Sequence, residues 1–112
     1  MISQIGYIKK TVKVNHRDFL VQMLPYTNGN FISISEGEEK IGTLVVSISS
    51  GGRVSTASVI PSKSETIFLK MVSERVALTM NGICIFSLNI GKDLDLDSMK
   101  VLMNELMEII PK

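Results

Sequence analysis

The sequence predicts an α+β fold: a mainly antiparallel sheet of about six strands with two helices, in the order β-β-β-β-β-α-β-α. Three observations carry that expectation. From Tyr7 to Ile60, apolar residues alternate in short runs punctuated by Gly, Pro and Asn, the pattern of strands and turns. Beyond Pro61 the spacing lengthens, and Phe68, Val72, Val76 and Met80 recur every four residues as on one side of a helix. A last strand-like run, Ile83–Ile90, then separates that stretch from a second helical one.

In Tyr7–Val14, Ile8, Val12 and Val14 share one side and Lys9, Thr11 and Lys13 the other. Lys10 interrupts the apolar side, which suits an edge strand whose inward charge blocks pairing with another chain. Asn15-His16-Arg17-Asp18 reads as a turn. Phe19–Leu24 is apolar on both sides, as expected of a central strand, and Pro25 is expected to end it. Asn28-Gly29 fits a tight turn with positive φ. Phe31–Ser35 follows with Ile32 and Ile34 inward, and Glu36–Lys40 forms a polar turn.

Ile41–Ser49 is the longest run, with Leu44, Val46 and Ile48 on one side. Thr43, Ser47 and Ser49 lie on the other with Ile41 and Val45. Ser50-Gly51-Gly52-Arg53 is the most flexible-looking turn, and Val54–Ile60 is a weaker strand with little apolar surface. Ser62 and Glu65 have capping-box spacing ahead of the first helix, whose far side carries Lys70, Ser73, Glu74 and Arg75. Asn81-Gly82 stops that helix, with Gly82 suited to a left-handed cap. In Ile83–Ile90, Cys84, Phe86, Leu88 and Ile90 share one side, and Ile83 and Ile85 begin the other. A helix starting near Asp97 or Ser98 buries Met99, Leu102, Met103, Leu106 and Ile110 and ends at Pro111.

At 112 residues the chain is expected to form one domain, 1–112. Aliphatic residues and seven methionines build its core, with four Phe, two Tyr and no Trp. The methionines serve either as pliable filler or as an adaptable contact surface. Formal net charge is +1, too small to draw in nucleic acid or anionic lipid. Charge is uneven along the chain: Lys9, Lys10, Lys13 and Arg17 make a basic start, and Asp93, Asp95 and Asp97 an acidic late loop. These are either solvated surfaces or complementary patches on an interface. One cysteine and no long apolar run point to the reducing cytoplasm, with no membrane contact.

No catalytic, cofactor or metal site is expected. His16 is the single histidine, and Cys84 falls in a strand, where a buried, inert thiol is the ordinary outcome. No phosphate-binding loop or nucleophile elbow occurs. Asp93, Asp95 and Asp97 superficially resemble the start of a calcium loop, but its glycine and distant glutamate are missing. The chain is therefore expected to bind protein rather than to catalyse. Surplus apolar residues in Phe19–Leu24 and Ile83–Ile90 suggest a dimer with itself or a similar chain. The turn Gly51, Gly52 and Arg53 is either an ordinary hairpin or a partner contact, with Arg53 gripping an acidic surface.

The segment Lys40-Ile41-Gly42-Thr43-Leu44-Val45, the helix over Glu65–Met80, the strand Ile83–Ile90 and the helix opening at Ser98-Met99-Lys100 together resemble the proteasome assembly chaperone 3 family, as a divergent or archaeal-like member. The likeness runs from about Phe19 onward. It implies a non-enzymatic chaperone that pairs with itself or a relative and holds proteasome α-subunits during ring assembly. Ile109-Ile110-Pro111-Lys112 departs from the hydrophobic-tyrosine-X tail by which other proteasome activators and chaperones enter α-ring pockets, so contact would use a surface. The alternative is a small ligand-binding or regulatory dimeric domain of unknown partner, with an apolar pocket between sheet and helices.

Overall fold

Alternating apolar residues need one covered face, and the fold supplies it with two helices laid on a single side of a six-stranded sheet. The computed structural model describes residues 6–61 and 66–110. Its strands are β1 (Ile8–Val14), β2 (Arg17–Tyr26), β3 (Gly29–Glu36), β4 (Thr43–Ser50), β5 (Arg53–Ile60) and β6 (Ile83–Asn89). The helices are α1 (Thr66–Met80), between β5 and β6, and α2 (Leu96–Ile109), after β6. The order β-β-β-β-β-α-β-α is therefore as expected. The capping pair Ser62 and Glu65 and the terminal Pro111 lie outside the described residues.

Across the sheet the order is β1-β2-β3-β6-β4-β5. Neighbours are antiparallel except β3 and β6, which run parallel. The parallel pair arises because α1 carries the chain back, so that β6 enters between β3 and β4. β1 takes an edge, as Lys10 suggested, and that lysine faces inward to pair with Glu105 of α2.

Register defines the two faces. The inner face carries Val12, Phe19, Val21, Met23, Ile32, Ile34, Val45, Cys84, Phe86 and Leu88, all buried. α1 covers β4, β5 and β6, while α2 lies over β1 and touches α1. Phe68, Leu69, Val72 and Val76 of α1 and Leu102 and Leu106 of α2 complete this core. The rings of Phe68 and Phe86 meet tilted, 6.4 Å between centroids.

Several local expectations need correction. Pro25 does not end β2: it stays in the ladder opposite Asn30, and the strand runs on to Tyr26. Asn28 and Gly29 do not take positive φ. Gly29 is small instead because the chain passes close by: a Cβ there would lie 2.0 Å from the Ile83 carbonyl oxygen. At the end of α1 the left-handed residue is Asn81, φ 51°, not Gly82. Ser73 is buried rather than solvent-facing, with its hydroxyl 2.8 Å from that of Ser47. α2 begins earlier than Asp97, because the Asp95 carboxylate accepts from the Ser98 amide at 3.3 Å and caps the helix. Hydrogen bonds from Ser98 and Asn15 hold that carboxyl below the usual aspartate range.

The largest correction concerns Arg17 and Glu36, both read as turn residues. Arg17 opens β2 and is only 7% exposed; Glu36 closes β3. The guanidinium donates Nε to Glu36 Oε2 at 2.8 Å and Nη2 to Oε1 at 2.7 Å. It also donates to the carbonyls of Asp93 (2.9 Å) and Lys92 (2.8 Å) and lies 3.8 Å from Asp95 Oδ1. The basic start and the acidic late loop are thus complementary at this residue, within one chain: Arg17 clasps the β6–α2 connection to the sheet.

Candidate protein-interaction surfaces

β4 carries two unlike faces, and the hydroxyl-rich one is turned inward. Ser47 faces α1, where its hydroxyl meets those of Ser73 and of Thr56 at 2.8 Å each. Thr56 in turn donates to Glu74 at 2.6 Å. This relay satisfies the hydroxyls of Ser47, Thr56 and Ser73; the buried Ser49 hydroxyl of the same strand finds no hydrogen-bond partner among the described residues. The relay leaves Leu44, Val46 and Ile48 on the outer face, and no helix among the described residues covers that face.

The apolar content of the outer face is continuous. In register, Leu24 lies opposite Phe31, Phe31 opposite Ile85, Ile85 opposite Val46 and Val46 opposite Ala57. That row crosses five strands, roughly 19 Å at the usual spacing between strands. Ile48 and Leu24 remain 48% and 42% exposed. Towards one end of the face, Tyr7, Gln22, Leu24, Phe31 and Ile41 line a shallow hollow. The doubly apolar character expected of Phe19–Leu24 and Ile83–Ile90 is therefore real, and among the described residues only one of the two sides is covered by helices.

Gly51, Gly52 and Arg53 lie apart from that row. The glycines form the two-residue link between β4 and β5, with φ of 60° and 81°, and Arg53 opens β5 on the exposed edge. A second apolar concavity lies outside the helices, between α1 and α2, where Met71, Leu96, Met99 and Met103 sit beside Lys100 and Asn104. It is an open groove rather than the sheet–helix pocket considered above, since the space between sheet and helices is filled by the core.

His16 and Cys84 are not brought together. His16 sits exposed in the β1–β2 turn at φ 66°. Cys84 is fully buried on the inner face, and burial pushes its thiol up to about 12. Cys84→Ser is expected to destabilise the fold by about 1–3 kcal/mol, because a hydroxyl would replace an apolar group there. Denaturant titration followed by circular dichroism measures it. Among the described residues, no group of three or more His, Cys, Asp or Glu is placed to hold a metal, and no helix is long and apolar enough to cross a membrane.

No protein-family model matches the chain, and no curated protein matches it in sequence. Solved structures do match in fold. One is a chain from the crystal structure of a chaperone complex for yeast 20S proteasome assembly, with a TM-score of 0.59 and 14% identity, covering 94% of this chain and 88% of that one.

Proposed function

We propose that this chain is a non-enzymatic protein-binding module that dimerises through its outer sheet face, with itself or a similar chain, and that the pair holds proteasome α-subunits during ring assembly in the cytoplasm. The observation that carries the reading is the uncovered row Leu24, Phe31, Ile85, Val46 and Ala57. A continuous apolar face of this kind marks an interface. A sheet laid on a sheet buries it with side chains interdigitating about 10 Å apart. The likeness to a chain of a proteasome-assembly chaperone complex supports the choice of client. On this reading Gly51, Gly52 and Arg53 stay outside the dimer and contact the client, with Arg53 meeting an acidic surface.

Sedimentation equilibrium tests the pairing. The wild type is expected at twice 12.4 kDa, and Ile85→Glu, at the centre of the row, at 12.4 kDa with unchanged circular dichroism. A wild-type monomer at micromolar concentration would remove the dimer. Co-purification with proteasome α-subunits tests the client: Arg53→Glu should reduce recovery and leave the dimer and its melting temperature intact.

A further inference from the structure

The two edges of the sheet are built differently. β1 is guarded: Lys9 and Lys13 stand on one side, and Lys10 points inward to Glu105. Such charges prevent another strand from adding to an edge. β5 has no guard of that kind. After Arg53 the rest of Arg53–Ile60 carries no charge and no proline. Its irregularity lies near the far end, where Ile60 pairs with Leu44 and Ser58 with Val45, so Val59 is the extra residue. Arg53–Ser58 is therefore an unbroken stretch whose outward amides and carbonyls have no neighbouring strand among the described residues.

Above this edge stands one flank of α1. The bond from Thr56 to Glu74 places that flank over β5. Ile67, Lys70, Glu74 and Leu78 follow one another at three- and four-residue spacing and so share it. Ile67 is 81% exposed and Leu78 46%. An open strand edge roofed by apolar side chains is a site for strand addition: main-chain hydrogen bonds hold the incoming segment, and its alternate side chains fill the space under the helix.

We infer that the β5 edge and the Ile67–Leu78 flank of α1 receive an extended strand from a different protein. That strand alternates apolar with polar residues and carries a carboxylate at the end that meets Arg53. A second copy is the poorer occupant. Residues facing each other across an antiparallel pair lie on the same side of the sheet, so the two-fold pairings that engage most of Arg53–Ser58 set either Ser55 or Thr56 opposite its own copy. Each Thr56 holds a Glu74, and in either register the two carboxylates would be drawn together near the axis. This surface is independent of how the outer face is used.

The test uses the acetylated, amidated peptide Glu-Val-Thr-Val-Thr-Val-Glu, titrated into the full chain while backbone amide signals and their hydrogen exchange are followed. Saturable shifts and slowed exchange confined to β5 and the α1 flank are expected. Ser58→Lys puts on this edge the inward charge that Lys10 supplies on the other. Because Ser58 is exposed, the variant should keep its circular dichroism and bind about tenfold more weakly. No saturable shift, shifts on the outer face or in the methionine groove, equal affinity for Ser58→Lys, or binding of a peptide with proline at its centre would each overturn the inference. So would β5 amides already protected in a homodimer that Ser58→Lys dissolves, because the edge would then belong to a second copy.

Discussion

Arg17→Met is expected to cost about 3 kcal/mol and to lower the melting temperature by roughly 10 °C. Methionine keeps the apolar stem but removes the guanidinium that joins four parts of the chain. That group makes two bonds to Glu36 at the end of β3, donates to the carbonyls of Lys92 and Asp93 ahead of α2, lies near Asp95 at the α2 cap, and rests 5.1 Å from the ring centre of Phe19. Losing it strands a largely buried carboxylate and two carbonyls, and that desolvation dominates the expected cost. Adding Glu36→Gln to the variant should recover part of the loss, because the unpaired charge goes with it. Thermal melts of the three proteins near neutral pH measure both effects.

The same clasp shapes the acid limb of the stability curve. Hydrogen bonding to Arg17, with lesser help from the Gly91 amide, holds the Glu36 carboxyl below its usual range. A depressed carboxylate contributes stability that is fully present above its unfolded-state pKa and is lost as pH falls through its lower folded value. Arg17→Met should therefore flatten the acid side of a stability-against-pH plot. An unchanged slope would assign the acid sensitivity to other carboxylates.

Much of this architecture was readable from spacing alone. Element order follows from the change of period at Pro61 and the return to strand at Ile83, and the guarded edge follows from Lys10. What spacing could not supply was the direction in which β4 faces. Leu44, Val46 and Ile48 look like the buried side of a strand, but Ser47 turns inward because Ser73 and Thr56 supply partners for its hydroxyl. That exchange leaves the apolar row outside and creates the candidate interface. Arg17 was misread for a related reason: a charge beside Asn15 and His16 looks solvated, and its partners Glu36, Lys92 and Asp93 are distant in sequence. The serine at position 73 in the first helix was the available signal, since a lone hydroxyl between Val72 and Val76 can be polar cover for a polar strand.

Gly29→Ala is expected to destabilise the protein by about 3 kcal/mol, for a reason unrelated to turn conformation. Gly29 begins β3 and pairs with Ile83 at the start of β6, in the parallel pair of the sheet. Its missing side chain makes room for backbone: a Cβ would stand 2.0 Å from the Ile83 carbonyl oxygen and 2.9 Å from its amide nitrogen. Backbone cannot rotate aside as a flexible side chain can, so β3 and β6 must separate at this end. The Ile83 amide would then lose its 2.9 Å bond to the Asn28 carbonyl. Gly51→Ala provides the contrast. Gly51 has φ of 60° and open space around the site of a Cβ, so only the cost of a left-handed alanine, about 1 kcal/mol, applies. Chemical denaturation of both variants separates the two roles of glycine. Amide shifts in Gly29→Ala should cluster at Asn28–Asn30 and Gly82–Cys84, whereas equal, small losses in the two variants would mean that β3 and β6 yield at this crossing without cost.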